Sequence, residues 1–126
     1  MKTSIIIATY ENPRALELVF EGLLRQTEAI EEVIFADDGS TDSTRERIAA
    51  FDQRTSFPVA HMWHPHDGIQ KAGIVNSAIA IAGGEQLVFL DGDCVPDQRW
   101  LADHLDHADG HTVWQGRRLQ IGTPIT

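Results

Sequence analysis

Apolar runs too short to be helices alternate along this chain with longer segments of helical period. TSIIIAT (3–9), EEVIFADD (31–38), FPVAHMWH (57–64) and EQLVFLD (85–91) are brief and rich in β-branched or aromatic residues, as buried strands are. Between them, PRALELVFEGLLRQT (13–27) carries apolar residues at 16, 19, 20, 23 and 24, a helical spacing. Asn12 before Pro13 reads as an N-cap followed by proline at the first helical position. STDSTRERIAAFDQR (40–54) supplies capping hydroxyls and carboxylates and then a helix. GIQKAGIVNSAIAIAGG (68–84) reads as a helix closed by glycines, and PDQRWLADHLDHA (96–108) as a helix opened by proline. HTVWQGRRLQIG (111–122) reads as a last strand or two. Such alternation predicts one α/β domain over 1–126, a three-layer α/β/α sandwich around a mainly parallel sheet.

In that architecture ligands bind beyond the carboxyl ends of the strands. Here those ends carry TYEN, DDGSTD and DGDCVP, three polar clusters on one sheet edge. The third poses an electrostatic problem. On an extended backbone Asp91 and Asp93 would share a side about 6.5 Å apart. At an effective dielectric near 20 their charges repel by roughly 2.5 kcal/mol. A hard divalent cation with oxygen ligands, Mg2+ or Mn2+, would remove the conflict.

Composition narrows the partners. The net charge of −9 disfavours non-specific nucleic-acid binding, so an anionic nucleotide would need a metal, a helix N-terminus or a placed basic residue. The single cysteine, Cys94, allows no internal disulfide and suits a reducing compartment. No apolar run is long enough to span a bilayer, and MKTSIIIATYEN reads as a first strand rather than a signal peptide. The expected location is the cytoplasm, with the inner membrane face a further expectation for a full-length protein.

Each cluster also has a plainer reading. DDGSTD could be an ordinary capped βα loop, and its spacing does not match a calcium loop. Lys71 fits no phosphate-loop pattern and could be a solvated helix lysine. The histidines of HMWHPH (61–66) and HLDHADGH (104–111) are expected in surface or packing roles, since they lack a convergent zinc-ligand pattern. Trp63, Trp100 and Trp114 are expected as core or interface aromatics.

Taken in order, SIIIATYENPRALELVFEGLLRQT, VIFADDGSTDST and HDGIQKAGIVNSAIAIAGGEQLVFLDGDCVP resemble the nucleotide-binding half of a family-2 glycosyltransferase with the GT-A fold. The resemblance runs from residue 3 to about 118. It implies that Thr9, Tyr10 and Glu11 hold the nucleotide base, with Tyr10 stacking on it. It implies that Asp38, second of the pair Asp37–Asp38, accepts a base N–H such as uracil N3. It assigns Asp91 to the ribose, Asp93 to Mn2+ or Mg2+, and Lys71 to the ribose or phosphates. The segment usually written R-N-x-A is VNSA here, with Val75 in place of arginine before Asn76.

The same resemblance places the catalytic base, a carboxylate, beyond residue 126. It therefore implies an inverting, metal-dependent transferase with a nucleotide diphosphate sugar donor, UDP-sugar favoured. The chain is read as truncated, an inactive fragment able to bind nucleotide. The alternatives are a non-catalytic nucleotide-binding module and a haloacid-dehalogenase-like phosphatase. FLDGDCV nearly matches the phosphatase motif, but that motif normally opens a chain. Uncovered sheet surface near Val113 and Trp114 is expected to promote homo-oligomers.

Overall fold

The computed structural model describes residues 2–108. Four strands, β1 (Thr3–Thr9), β2 (Val33–Asp37), β3 (Val59–Trp63) and β4 (Gln86–Asp91), alternate with α1 (Pro13–Leu24), α2 (Asp42–Arg54), α3 (Lys71–Ile81) and α4 (Trp100–Asp106). The sheet order is β3-β2-β1-β4 and every pairing is parallel. The expected three-layer arrangement is present. The strand expected at 111–122, with Val113 and Trp114, lies outside the described residues.

Period-2 alternation of side chains builds two cores from the same strands. Ile5, Ile7, Val33 and Phe35 face α1, α2 and α4 in the larger cluster, where Leu16, Val19, Phe20, Phe51 and Leu101 are buried. Phe20 stacks on Phe51 at 4.4 Å, and both meet Phe35 edge-on. Ile6, Ile34 and Ala36 point the other way, against Ile74 and Ala78 of α3. The central strands are buried on both sides, which explains their unbroken apolar runs. At the edge, β4 leaves Phe89 exposed.

The element ends differ from expectation in instructive ways. Asn12 does cap α1, its Oδ1 accepting the Ala15 N–H. Thr41 occupies the N-cap of α2, but its hydroxyl makes no capping bond. Pro96 does not open α4, which begins four residues later. It instead packs on Gly22 of α1, where a β-carbon would fall 2.7 Å from the proline ring. The intervening turn is pinned by Gln26: its side chain donates to the Asp97 carbonyl and accepts the Leu101 N–H. Asp97 sits in this turn, where its carbonyl accepts the Trp100 N–H. Among the described residues no helix is long and apolar enough to cross a membrane.

Candidate functional site

Because the strands are parallel, their carboxyl ends share one edge. The register aligns Thr9 with Asp37 and Ala8 with Asp91. Loops on both sides hook onto β1. Asp38 donates its N–H to the Thr9 carbonyl at 3.0 Å, and Gly92 donates to the Ala8 carbonyl at 2.7 Å. Gly92 lies so close that a β-carbon would sit 2.8 Å from the Ala8 oxygen and 2.9 Å from the Thr9 side chain. Glycine is required there by backbone approach. Thr9 is buried, and its hydroxyl has no hydrogen-bond partner among the described residues.

The adjacent aspartates do different work. Asp37 is fully buried: one carboxylate oxygen accepts the Ser40 N–H at 2.9 Å and the other meets His61 Nε2 at 2.8 Å. It braces the turn that Gly39, at φ +93°, makes after β2. Asp38 is 6% exposed and opens the loop just past the β2 end. Its Oδ1 meets His64 Nε2 at 2.6 Å, and its Oδ2 accepts the Gln70 N–H at 3.0 Å. The bond from His64, then that from the Gln70 backbone, holds the Asp38 carboxyl below the usual carboxylate range.

That depression has a consequence for acid stability. A carboxyl that ionises more readily folded than unfolded contributes stability above its unfolded pKa, about 3.9, which is lost as pH falls through the lower folded value. Between about pH 6 and about pH 3 the parent's urea midpoint is expected to fall further than that of Asp38→Asn. Equal falls would show that Asp38 contributes nothing.

The β1 end is tied to the same loop. Glu11, at the unusual φ of 44°, donates its N–H to Ser40 Oγ and accepts the Thr41 N–H on its carboxylate. Tyr10 is half exposed and stacks on His66 with ring centroids 4.4 Å apart. His66 Nδ1 in turn bonds the Asp38 carbonyl at 3.0 Å.

At the β4 end the DGD segment is not extended. The Cys94 N–H donates to the Asp91 carbonyl at 3.0 Å, closing a turn that brings Asp91 and Asp93 nearer than an extended i, i+2 spacing. Their ligand atoms and Cys94 Sγ all lie within 4.8 Å of one another. Lys71 Nζ donates to Asp91 Oδ1 at 2.9 Å. This ammonium is the placed cation that an acidic strand end needs. Gln70 and Lys71, consecutive residues at the start of α3, thus reach Asp38 at the β2 end and Asp91 at the β4 end. They span β1 between them.

The chain as a whole has known relatives. The sequence profile of glycosyl transferase family 2 matches residues 4–124. The chain belongs to that family. It is 34% identical over 95 residues to an uncharacterized glycosyltransferase, alr2836, of Nostoc sp., covering 75% of this chain and 29% of that protein. It is 33% identical over 90 residues to validoxylamine A glucosyltransferase of Streptomyces hygroscopicus subsp. jinggangensis, covering 70% of this chain and 21% of the relative. The solved structure of S. aureus TarS 1–349 in complex with UDP-GlcNAc superposes with a TM-score of 0.69 at 26% identity, over 84% of this chain and 30% of that one. The chain therefore spans less than a third of the length of these relatives.

Within this family-2 chain, the structure gathers Thr9, Tyr10, Glu11, Asp38, Lys71, Asp91 and Asp93 at one edge of the sheet. It also adds residues that no sequence motif singles out. His64 and His66 bond the Asp38 carboxylate and the Asp38 carbonyl, whereas His61 keeps the packing role expected of it, bonding the buried Asp37. Gln70 contributes through its backbone N–H, which no side-chain motif announces. The available signal was the i, i+2 spacing of His64 and His66 just past β3, next to the strand that ends in Asp37–Asp38.

Proposed function

We propose that this chain is the nucleotide-sugar-binding half of an inverting, metal-dependent glycosyltransferase whose donor is a nucleotide diphosphate sugar, UDP-sugar favoured. One observation carries the reading: Gln70 and Lys71 join an acidic acceptor at the β2 end, Asp38, to the acidic pair at the β4 end. A nucleotide laid across that edge would meet Tyr10 for stacking, Asp38 for a base N–H, and Lys71 and Asp91 for ribose and phosphate. The UDP-GlcNAc held in the TarS 1–349 complex supports a uridine donor.

The donor set at DGD suits a hard divalent cation. Asp93 offers carboxylate oxygens, a ligand atom of Asp91 lies within 4.8 Å of it, and a diphosphate would add further oxygens. The neighbouring Cys94 thiol is a soft donor and adds little for Mn2+ or Mg2+. When bound, such an ion supplies Lewis-acid stabilisation of the charge developing on the leaving nucleoside diphosphate. Asp93 is the residue assigned to hold it. Asp91, already neutralised by Lys71, is assigned to the ribose.

Calorimetric titration with UDP tests this. Affinity for the parent should rise when Mn2+ is added, and Asp93→Ala should abolish that rise while leaving the thermal midpoint unchanged. The exposed loop position of Asp93 makes a fold effect within about 0.5 kcal/mol the expectation. A variant that binds UDP as well as the parent in Mn2+ would remove Asp93 from the metal site.

A further inference from the structure

His64 sits directly after β3, and the β2–β3 register pairs Asp37 with Trp63, so the next residues of the two strands, Asp38 and His64, emerge side by side. The carboxylate of Asp38 can only accept, so His64 Nε2 carries the proton in their 2.6 Å contact. The second oxygen is fixed from another direction by the Gln70 N–H. Two anchors on two oxygens lock the rotation of the carboxylate. Of its roughly four acceptor directions, two are spent on these anchors and two remain for a ligand. Without His64 the carboxylate would keep only the Gln70 bond and could turn about its last torsion.

His61 offers an internal comparison. It bonds the other aspartate, Asp37, which has no exposed surface and is committed to the turn. The two histidine–aspartate pairs are thus chemically alike and differ in what their aspartates face.

We propose that His64 is a positioning residue for base recognition, holding the free acceptor directions of Asp38 on the N–H edge of a uracil-like base. This rests on the reading of the strand-end crevice as a nucleotide site. It predicts an effect on base selectivity rather than on binding as a whole. Uracil presents a donor at N3, where cytosine presents an acceptor, so an oriented carboxylate favours UDP over CDP. A carboxylate free to turn favours it less.

The experiment titrates the 126-residue chain with UDP and with CDP in Mn2+, for the parent and for Asp38→Asn, His64→Ala, His64→Gln and His61→Ala. Thermal midpoints are recorded alongside. The UDP-to-CDP affinity ratio should collapse in Asp38→Asn. It should fall about tenfold in His64→Ala, near the lower end of what a charge-assisted hydrogen bond is worth. It should be restored to within about twofold by His64→Gln, whose amide can donate in the same direction. His61→Ala should lower the thermal midpoint and leave the ratio unchanged. If Asp38→Asn keeps the parent ratio, the nucleotide reading fails and this inference goes with it. If Asp38→Asn collapses the ratio but His64→Ala does not, the positioning role alone is overturned. Equal falls in His61→Ala and His64→Ala would reduce both histidines to structural supports.

Discussion

Asp37→Ala is expected to destabilise the domain by about 3 kcal/mol or more, because each buried group left unpaired costs roughly 1–3 kcal/mol. Two groups lose their partner at once, the Ser40 N–H and the His61 ring nitrogen. The Ser40 N–H sits where water cannot readily replace the carboxylate, since Asp37 has no exposed surface and Ser40 is 5% exposed, while the His61 ring is partly buried. With a urea dependence of about 1–3 kcal/mol per molar, the midpoint should drop by about 1–3 M. That is a large share of the roughly 5–15 kcal/mol that holds a domain folded. Asp38→Asn, one residue along, should cost much less stability and fall mainly on nucleotide binding. Urea titrations of the two variants check this, and equal losses would erase the distinction between brace and ligand group.

The second large effect concerns turnover. The 126-residue polypeptide, given labelled nucleotide sugars, Mn2+ and a panel of acceptors, is expected to bind nucleotide and transfer no sugar. Transfer needs a base within hydrogen-bond reach of the acceptor hydroxyl and a wall that holds both substrates. On the proposed reading, that base is none of the described carboxylates. The described carboxylates nearest the crevice already have other partners. Glu11 accepts the Thr41 N–H, Asp38 is held by His64 and Gln70, and Asp91 pairs with Lys71. Loss of general-base catalysis alone costs about 10²–10⁴-fold. Loss of acceptor positioning adds more, since effective molarities reach about 10⁵–10⁸ M. Nucleoside diphosphate release that depends on both metal and acceptor would show that these residues suffice. Metal-dependent UDP binding without release would fit this reading and equally a non-catalytic binding module. A longer polypeptide would separate those two.

Much of this architecture was legible in the sequence. Strand–helix alternation dictates a parallel sheet because parallel neighbours need a crossover, and a crossover of this length is a helix. A parallel sheet dictates that all ligand-competent loops share one edge, so TYEN, DDGSTD and DGDCVP had to converge. The double-sided burial of β1 and β2 was written in their unbroken apolar runs. Proline and asparagine at 12–13 marked the start of α1 correctly, because capping is a local affair of backbone N–H groups and the side chain beside them.

What needed the tertiary structure was every contact made across sequence distance. Pro96 looked like a helix start, and only Gly22, brought beneath it by α1, shows that the proline is a packing residue before the helix begins. The carboxylates of DGD were expected at an extended spacing, and a turn closed by the Cys94 N–H drew them together. Asp37 is the last residue of β2 and Asp38 the first of the loop after it, so the two carboxylates need not face the same way. Which of them would brace the turn, and which would meet His64 and Gln70, depended on β3 lying alongside with its own register. That register set His61 against one aspartate and His64 against the other. Local propensity encodes the strand and its end, but partner choice is decided by which strand is its neighbour and at what register.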